Sequence, residues 1–197
     1  GIAWIGSSFY FIALDLGLRK APDLAEGVHG EEWQVHGGGF YHLQKYLVAP
    51  ARLPDHLIWF KCESYTTWLS GFAMLVRVYY FGADLFLVDP EVLDLPSWLA
   101  ILISLLSLGL GWLAYDRICR SGFGDDNSRL MLLLYGILVA MAFGYTHVFS
   151  GRAAFLHLGA ITATIMSANV FLVIIPNQKI VVADLKAGRA PDASYGK

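Results

Sequence analysis

Five apolar stretches, each near or above the roughly 20 residues a helix needs to cross a hydrocarbon core, constrain this chain more than any other feature. They run from Gly1 to about Leu18, Leu57 to Phe81, Trp98 to about Tyr115, Leu130 to Phe149, and Ala153 to Ile175. In hydrocarbon every backbone polar group must be satisfied within its own segment, so stretches of this kind fold as helices. The expected fold class is therefore all-α, an integral membrane helical bundle with five transmembrane helices in this chain. Composition agrees. The chain is 56% hydrophobic and 15% charged, with a mean hydropathy of +0.53, more apolar than a single soluble core requires.

A formal net charge of −2 and the lack of a basic stripe exclude a nucleic-acid binder. Cys62 and Cys119 are too few and too far apart for a disulfide framework, and no C-x-x-C-H run is present to attach a c-type haem. The basic residues alternate along the chain. Arg19, Lys20, Lys45 and Arg52 follow the first stretch, none lies between Ala83 and Ser97, and Arg117, Arg120 and Arg129 follow the third. Arg152 alone follows the fourth, and Lys179, Lys186 and Arg189 follow the fifth. Because cytoplasmic flanks collect Lys and Arg, this pattern puts residue 1 outside, residues 19–56 inside, the acidic connection before Trp98 outside and the C-terminal tail inside.

The connection at 19–56 holds most of the polar chemistry. "HGEEWQVHGGGFYHLQKY", residues 29–46, contains three histidines, two glutamates, a tryptophan and three consecutive glycines. A connection of nearly 40 residues is long for a plain linker, and its aromatic and glycine content argues against disorder. Three glycines permit backbone conformations that a side chain forbids and allow close approach of a ligand. This His/Gly-rich cytoplasmic loop, with Lys61 and Glu63 early in the second helix and Gln178 after the fifth, forms one candidate constellation. The alternative is a solvated cap with Lys61 snorkelling to the interface. Metal binding is a weaker reading, since His36 and His42 lack both helical H-x-x-x-H spacing and a cysteine partner.

A second constellation lies toward the outer face: Arg77, His147, Arg152 and His157. Ionisable residues within spans are costly and mark pathways, cofactors or paired structural sites. Two histidines on neighbouring antiparallel helices form a candidate haem b clamp, with iron at His147 and His157 and with Arg77 and Arg152 near the propionates. The alternative is a pair of histidines hydrogen-bonded to helix backbone or to hydroxyls such as Thr162. Trp4 beside small residues suits a flat ring, and equally an aromatic belt.

Several stretches, "GIAWIGSSFYFIALDLGL", "GVHGEEWQVHGGGFYH", "WFKCESYTTWLSGFAML", "FSGRAAFLHLGAITATIMSANVF" and "IIPNQKIVVADLKAG", closely resemble the membrane domain of the bacterial membrane-bound urate oxidases, or urate hydroxylases. The resemblance covers essentially the whole chain. It implies a multi-pass protein of the bacterial inner membrane with about eight spans of normal length, of which residues 1–197 form the N-terminal part. A cytochrome c domain is expected beyond residue 197, and haem c only there. The implied reaction is oxidation and hydroxylation of urate to 5-hydroxyisourate in purine degradation. Electrons pass to that cytochrome c domain or to soluble cytochrome c, then to a terminal oxidase, without peroxide formation.

Such a reaction needs groups to hold a purine anion, an aromatic face, a base and an electron outlet. Residue chemistry nominates Lys61 and Gln178 as anion or carbonyl contacts and Trp33 or Phe40 as the stacking surface. His36 or His42 is the base, Glu63 tunes its neighbours, and His147 with His157 serves the outlet. A second reading, from a different class, is a haem-binding or structural subunit of a membrane electron-transfer complex.

Overall fold

The computed structural model describes residues 2–46, 50, 53–124 and 126–196, with the side chains of 2–5, 193 and 196 excepted. Gly1, Arg52, Lys197 and the ring of Trp4, which the sequence reading used, lie outside the described residues. The chain divides into two compact units, residues 64–172 and residues 1–63 with 173–197.

Unit 64–172 is helical. It holds most of α2 (Cys62–Leu75) with a π-helical continuation over Val76–Tyr80, the short α3 (Ala83–Phe86), α4 (Ser97–Cys119), α5 (Asn127–Thr146) and α6 (Gly151–Asn169). Asp126 caps α5 by accepting from the Ser128 and Arg129 amides, and Ser150 caps α6 by accepting from Ala153, each satisfying donors that a helix start leaves free. α6 packs against both α4 and α5. Gly111 on α4 makes the first contact close, because a Cβ there would stand 2.5 Å from Ile161 Cδ1. Small residues permit such approach where lipid supplies no drive for association. Gly159, also on α6, has no neighbour within 4 Å of an added Cβ.

α2 runs antiparallel to α6, as three pairings show: Tyr65 edge-on to Phe171, Trp68 Nε1 donating to Thr164 Oγ1 at 3.0 Å, and Tyr79 edge-on to His157. The connection before α4 is pinned to the start of α6, since the Ser150 amide donates to the Leu87 carbonyl at 3.0 Å and its hydroxyl to that of Phe86 at 2.7 Å. Leu87 and Phe149 are fully enclosed there.

Among the described residues, three helices are long and apolar enough to cross a membrane: Ser97–Cys119, Asn127–Thr146 and a continuous run from Gly151 to Lys186. That run passes through a π segment at Val170–Ile174 into α7 (Ile175–Lys186). Pro176 lacks the N–H that an α-helix would use one turn back, and a widened turn upstream absorbs the mismatch. The three carry Leu106, Leu110, Met131, Leu132, Phe143 and Phe155 exposed, the surface of helices that face lipid or further helices.

Of the five expected spans, three stand among the described residues. The described helix of the first stretch, α1 (Ile2–Gly17), has 16 residues. Residues 57–61 of the second stretch are not helical, so α2 starts at Cys62 and has 14 residues before its π turn. α1 is short, while α2 with its π continuation reaches Tyr80 but carries Glu63, Thr66, Thr67, Ser70 and Arg77 and so is less apolar than the three.

In the other unit the 19–56 connection is not a loop throughout. It folds as an antiparallel hairpin of β1 (Val28–His36) and β2 (Gly39–Tyr46). Gly37 and Gly38 take φ of +59° and +79°, the pair of left-handed conformations that a two-residue type I′ turn demands. A lone hairpin is marginal in water, and this one is braced on α1. The Tyr10 hydroxyl donates to Gln34 Oε1 at 2.8 Å, Lys45 Nζ pairs with Asp15 at 2.6 Å, and the Glu32 carboxylate presses on Gly17, where a Cβ would collide with it.

Candidate active site on the hairpin

Period-two alternation sorts the hairpin side chains onto two faces. Cross-strand pairing sets Glu31 opposite Gln44, Trp33 opposite His42 and Val35 opposite Phe40, all on one face. Glu32, Gln34 and His36, opposite Leu43, Tyr41 and Gly39, share the other. The second face is the one tied to α1 through Gln34 and Lys45. His36 and His42, which sequence reasoning treated as interchangeable bases, therefore lie on opposite faces.

On the outward face His42 Nε2 lies 2.7 Å from Glu31 Oε2. Its ring stacks on the Trp33 indole at a centroid distance of 4.2 Å and an interplanar angle of 9°. A carboxylate can only accept, so His42 carries its proton on Nε2 and, when neutral, presents the Nδ1 lone pair as the basic atom. Three contacts thus fix the imidazole: strand register, the Glu31 acceptor and the Trp33 ring. Its side chain remains one-third exposed, so a ligand can reach it. A positioned carboxylate–imidazole pair is the arrangement that general-base catalysis uses.

Arg19 joins this face. It forms a two-bond backbone bridge with Glu31, the Arg19 amide donating at 2.9 Å and the Glu31 amide returning the bond at 3.0 Å. Residues directly opposite in such a bridge project to the same side of the sheet. Arg19 is exposed and forms no ion pair among the described residues, so a guanidinium is available beside the Glu31–His42 pair. Sequence reasoning used Arg19 only to orient the chain and counted Glu31 among the polar residues of the loop without assigning it a specific role. The signal that could have found both was the turn: two glycines between alternating polar and aromatic runs spell a hairpin, and its register puts Glu31 two residues from Trp33 on the His42 side.

The other expected members are not gathered here. Lys61 stacks over Trp59 at 5.6 Å from its ring centroid, Glu63 keeps a buried Oε2 without a partner, and Gln178 is exposed on α7. None hydrogen-bonds to the hairpin among the described residues. Phe40 sits at the hairpin tip, 77% exposed.

Of the two readings of the outer constellation, haem clamp or histidines hydrogen-bonded to helix backbone and hydroxyls, the contacts are those of the second. His157 is fully enclosed, with Tyr79, Tyr145 and Phe149 around its ring. Its Nδ1 donates to the Ala153 carbonyl at 2.8 Å and its Nε2 lies 2.8 Å from Ser104 Oγ. Both nitrogens are engaged, leaving none for iron. His147 lies just past the end of α5, exposed, with Nδ1 donating to the Phe143 carbonyl at 2.8 Å. Arg152 rests over the Phe86 ring at 5.0 Å and Arg77 is exposed on the π turn. These residues do not fit a bis-histidine haem, and no electron step is assigned to them. Among the described residues there is also no group of three or more metal-ligating side chains.

The sequence model of the urate oxidase N-terminal domain matches residues 1–197. The chain belongs to the urate oxidase N-terminal family. No curated protein and no solved structure matches it. Membership ties this urate oxidase N-terminal chain to urate-related oxidoreductase chemistry, and the hairpin is where its described residues offer a base, an aromatic ring and a cation together.

Proposed function

We propose that the chain is the membrane part of a cytochrome-c-linked urate oxidase and that the outward face of the hairpin takes up urate. The observation carrying this reading is the Glu31–His42 pair stacked on Trp33. Urate is a planar anion. Trp33, 64% exposed, offers it a stacking surface, Arg19 meets its negative charge, and His42 Nδ1 takes a proton from urate N–H or from the attacking water. Urate plus water gives 5-hydroxyisourate, two protons and two electrons. Water supplies the C5 hydroxyl, His42 receives one of the protons, and Glu31 holds the imidazolium in place.

The electron acceptor would be cytochrome c, either a domain following residue 197 or a soluble partner, whose haem would supply the one-electron outlet toward a terminal oxidase. The protein lies in the bacterial inner membrane as a multi-pass chain, with the tail near residue 197 on the cytoplasmic side by the distribution of Lys and Arg. The full-length protein in native membranes is expected to consume urate with cytochrome c reduction and without peroxide. Peroxide formed in step with urate loss would overturn the electron route, and unchanged turnover in His42→Gln would remove the hairpin from the chemistry.

A further inference from the structure

The hairpin grades from polar to apolar along its length. Its base carries Arg19, Glu31, Glu32 and Lys45, whereas its tip pairs Val35 with Phe40, 68% and 77% exposed, next to Tyr41 at 53%. No Lys, Arg, Asp or Glu lies between Glu32 and Lys45. Exposed apolar pairs of this size on a two-stranded sheet need a cover.

Contacts with α1 fix the direction in which the tip points. Glu32 meets Gly17 near the C-terminus of α1, and Gln34, two residues nearer the tip, meets Tyr10. The seven-residue step from Gly17 to Tyr10 is about 10 Å of helix, so β1 runs antiparallel to α1 and the tip continues toward its N-terminal half. That half is the apolar one. Phe9, Phe11 and Ile12 are exposed at 66%, 43% and 54%, while Asp15, Arg19 and Lys20 collect at the other end. Hairpin and helix therefore share one polarity axis, with apolar ends side by side.

We infer that the hairpin tip docks into the headgroup region of the lipid bilayer, with Val35 and Phe40 as its wedge. Residue type decides the occupant: Trp, Tyr and Phe on a surface free of acidic groups are what the membrane interface collects, and the tip continues the apolar flank of α1. Backbone chemistry limits the depth. Both hairpin edges keep amide and carbonyl groups unpaired near the turn, and these need water or headgroups, so the tip stops short of hydrocarbon. Glu31, four residues from Val35 and about 13 Å along the strand, then stays in water with His42 just above the lipid surface.

This rests on the membrane reading of the chain, and the experiment separates the two. In the full chain with Cys62→Ser and Cys119→Ser, nitroxide labels at Phe40→Cys, Val35→Cys, Gln44→Cys and, on α4, Leu106→Cys are compared in nanodiscs of phosphatidylcholine and phosphatidylglycerol. Collision with dissolved oxygen is read against collision with a water-soluble nickel chelate. Labels at 35 and 40 are expected to lose nickel collisions and keep oxygen collisions, while the label at 44 keeps nickel. Nickel access at 35 and 40 equal to that at 44 overturns the docking. So does shielding from both reagents, which would mark a protein partner. Nickel access at 106 instead sinks the membrane reading, and the docking with it.

Discussion

Ser104 Oγ lies 2.8 Å from His157 Nε2 and 2.8 Å from the Tyr80 hydroxyl, so one serine links the π turn after α2, α4 and α6. The direction of these bonds follows from one constraint. His157 Nδ1 must donate, because its partner is the Ala153 carbonyl. In the neutral ring Nε2 then accepts from Ser104 O–H, and Ser104 Oγ accepts from Tyr80. Every polar atom of His157 is satisfied by this chain, as burial requires.

Ser104→Ala leaves the Tyr80 hydroxyl and His157 Nε2 without their shared partner. Each orphaned buried group costs about 1–3 kcal/mol, so the variant is expected to unfold at a clearly lower temperature in detergent. Ser70→Ala is the control, since the exposed Ser70 hydroxyl donates only to the Thr67 carbonyl one turn back on its own helix. Equal melting temperatures for the two variants would show that the linkage contributes nothing.

Packing between α4 and α6 offers a second test at Gly111. An added Cβ there stands 2.5 Å from Ile161 Cδ1, and overpacking of this kind typically costs about 1–3 kcal/mol. Gly111→Ala should therefore lower the thermal midpoint, and Ile161→Val, by removing the methyl in the way, should restore part of it. Gly159→Ala, with open space around the new methyl, should not destabilise. Loss of stability at 159 but not at 111 would contradict the helix contact described here.

The long helices were legible in the sequence because a span announces itself by composition alone. α4, α5 and α6 lie where the apolar runs of the third, fourth and fifth stretches stand, with ends displaced by a few residues where Ser150 and Asp126 supply caps. The second stretch was overread at its start, because apolar residues such as Leu57 and Ile58 precede the point where the backbone becomes helical. The hairpin was missed although its signal was present, because three glycines were read as permissiveness when two of them set a defined turn. For His157 the sequence left open a haem iron or a hydrogen bond to helix backbone and a hydroxyl, and the structure shows the latter kind of partner, with Ser104 in place of Thr162. Composition shows that a buried histidine needs something to bond, but not that a serine 53 positions earlier provides it.

The turn itself is testable. Gly37 and Gly38 both occupy positive φ, where a side-chain-bearing residue other than Asn or Asp is strained by about 1–2 kcal/mol. Gly37→Asn suits the first turn position and should preserve urate turnover. Gly38→Val should loosen the hairpin, speeding amide hydrogen exchange along the β1–β2 ladder and lowering turnover. Full activity in Gly38→Val would mean that the hairpin does not position the site.

The outward face of the hairpin makes the sharpest prediction, because its members have separable roles. His42→Gln removes the base and should lower kcat by about 10²–10⁴-fold, the usual worth of general-base catalysis. Glu31→Gln keeps the shape but replaces the carboxylate that holds the imidazole, so it should lower kcat by less, with KM for urate little changed. Glu31→Asp should recover part of the loss, which a merely structural glutamate would not predict. Arg19→Gln should act mainly on KM, since a guanidinium that meets the purine anion contributes to binding in ground and transition states alike. His36→Gln, altered on the opposite face, should behave as wild type. A kcat effect at His36 equal to that at His42 would show that the two faces of the hairpin do not divide the chemistry, and the assignment of the base would fall.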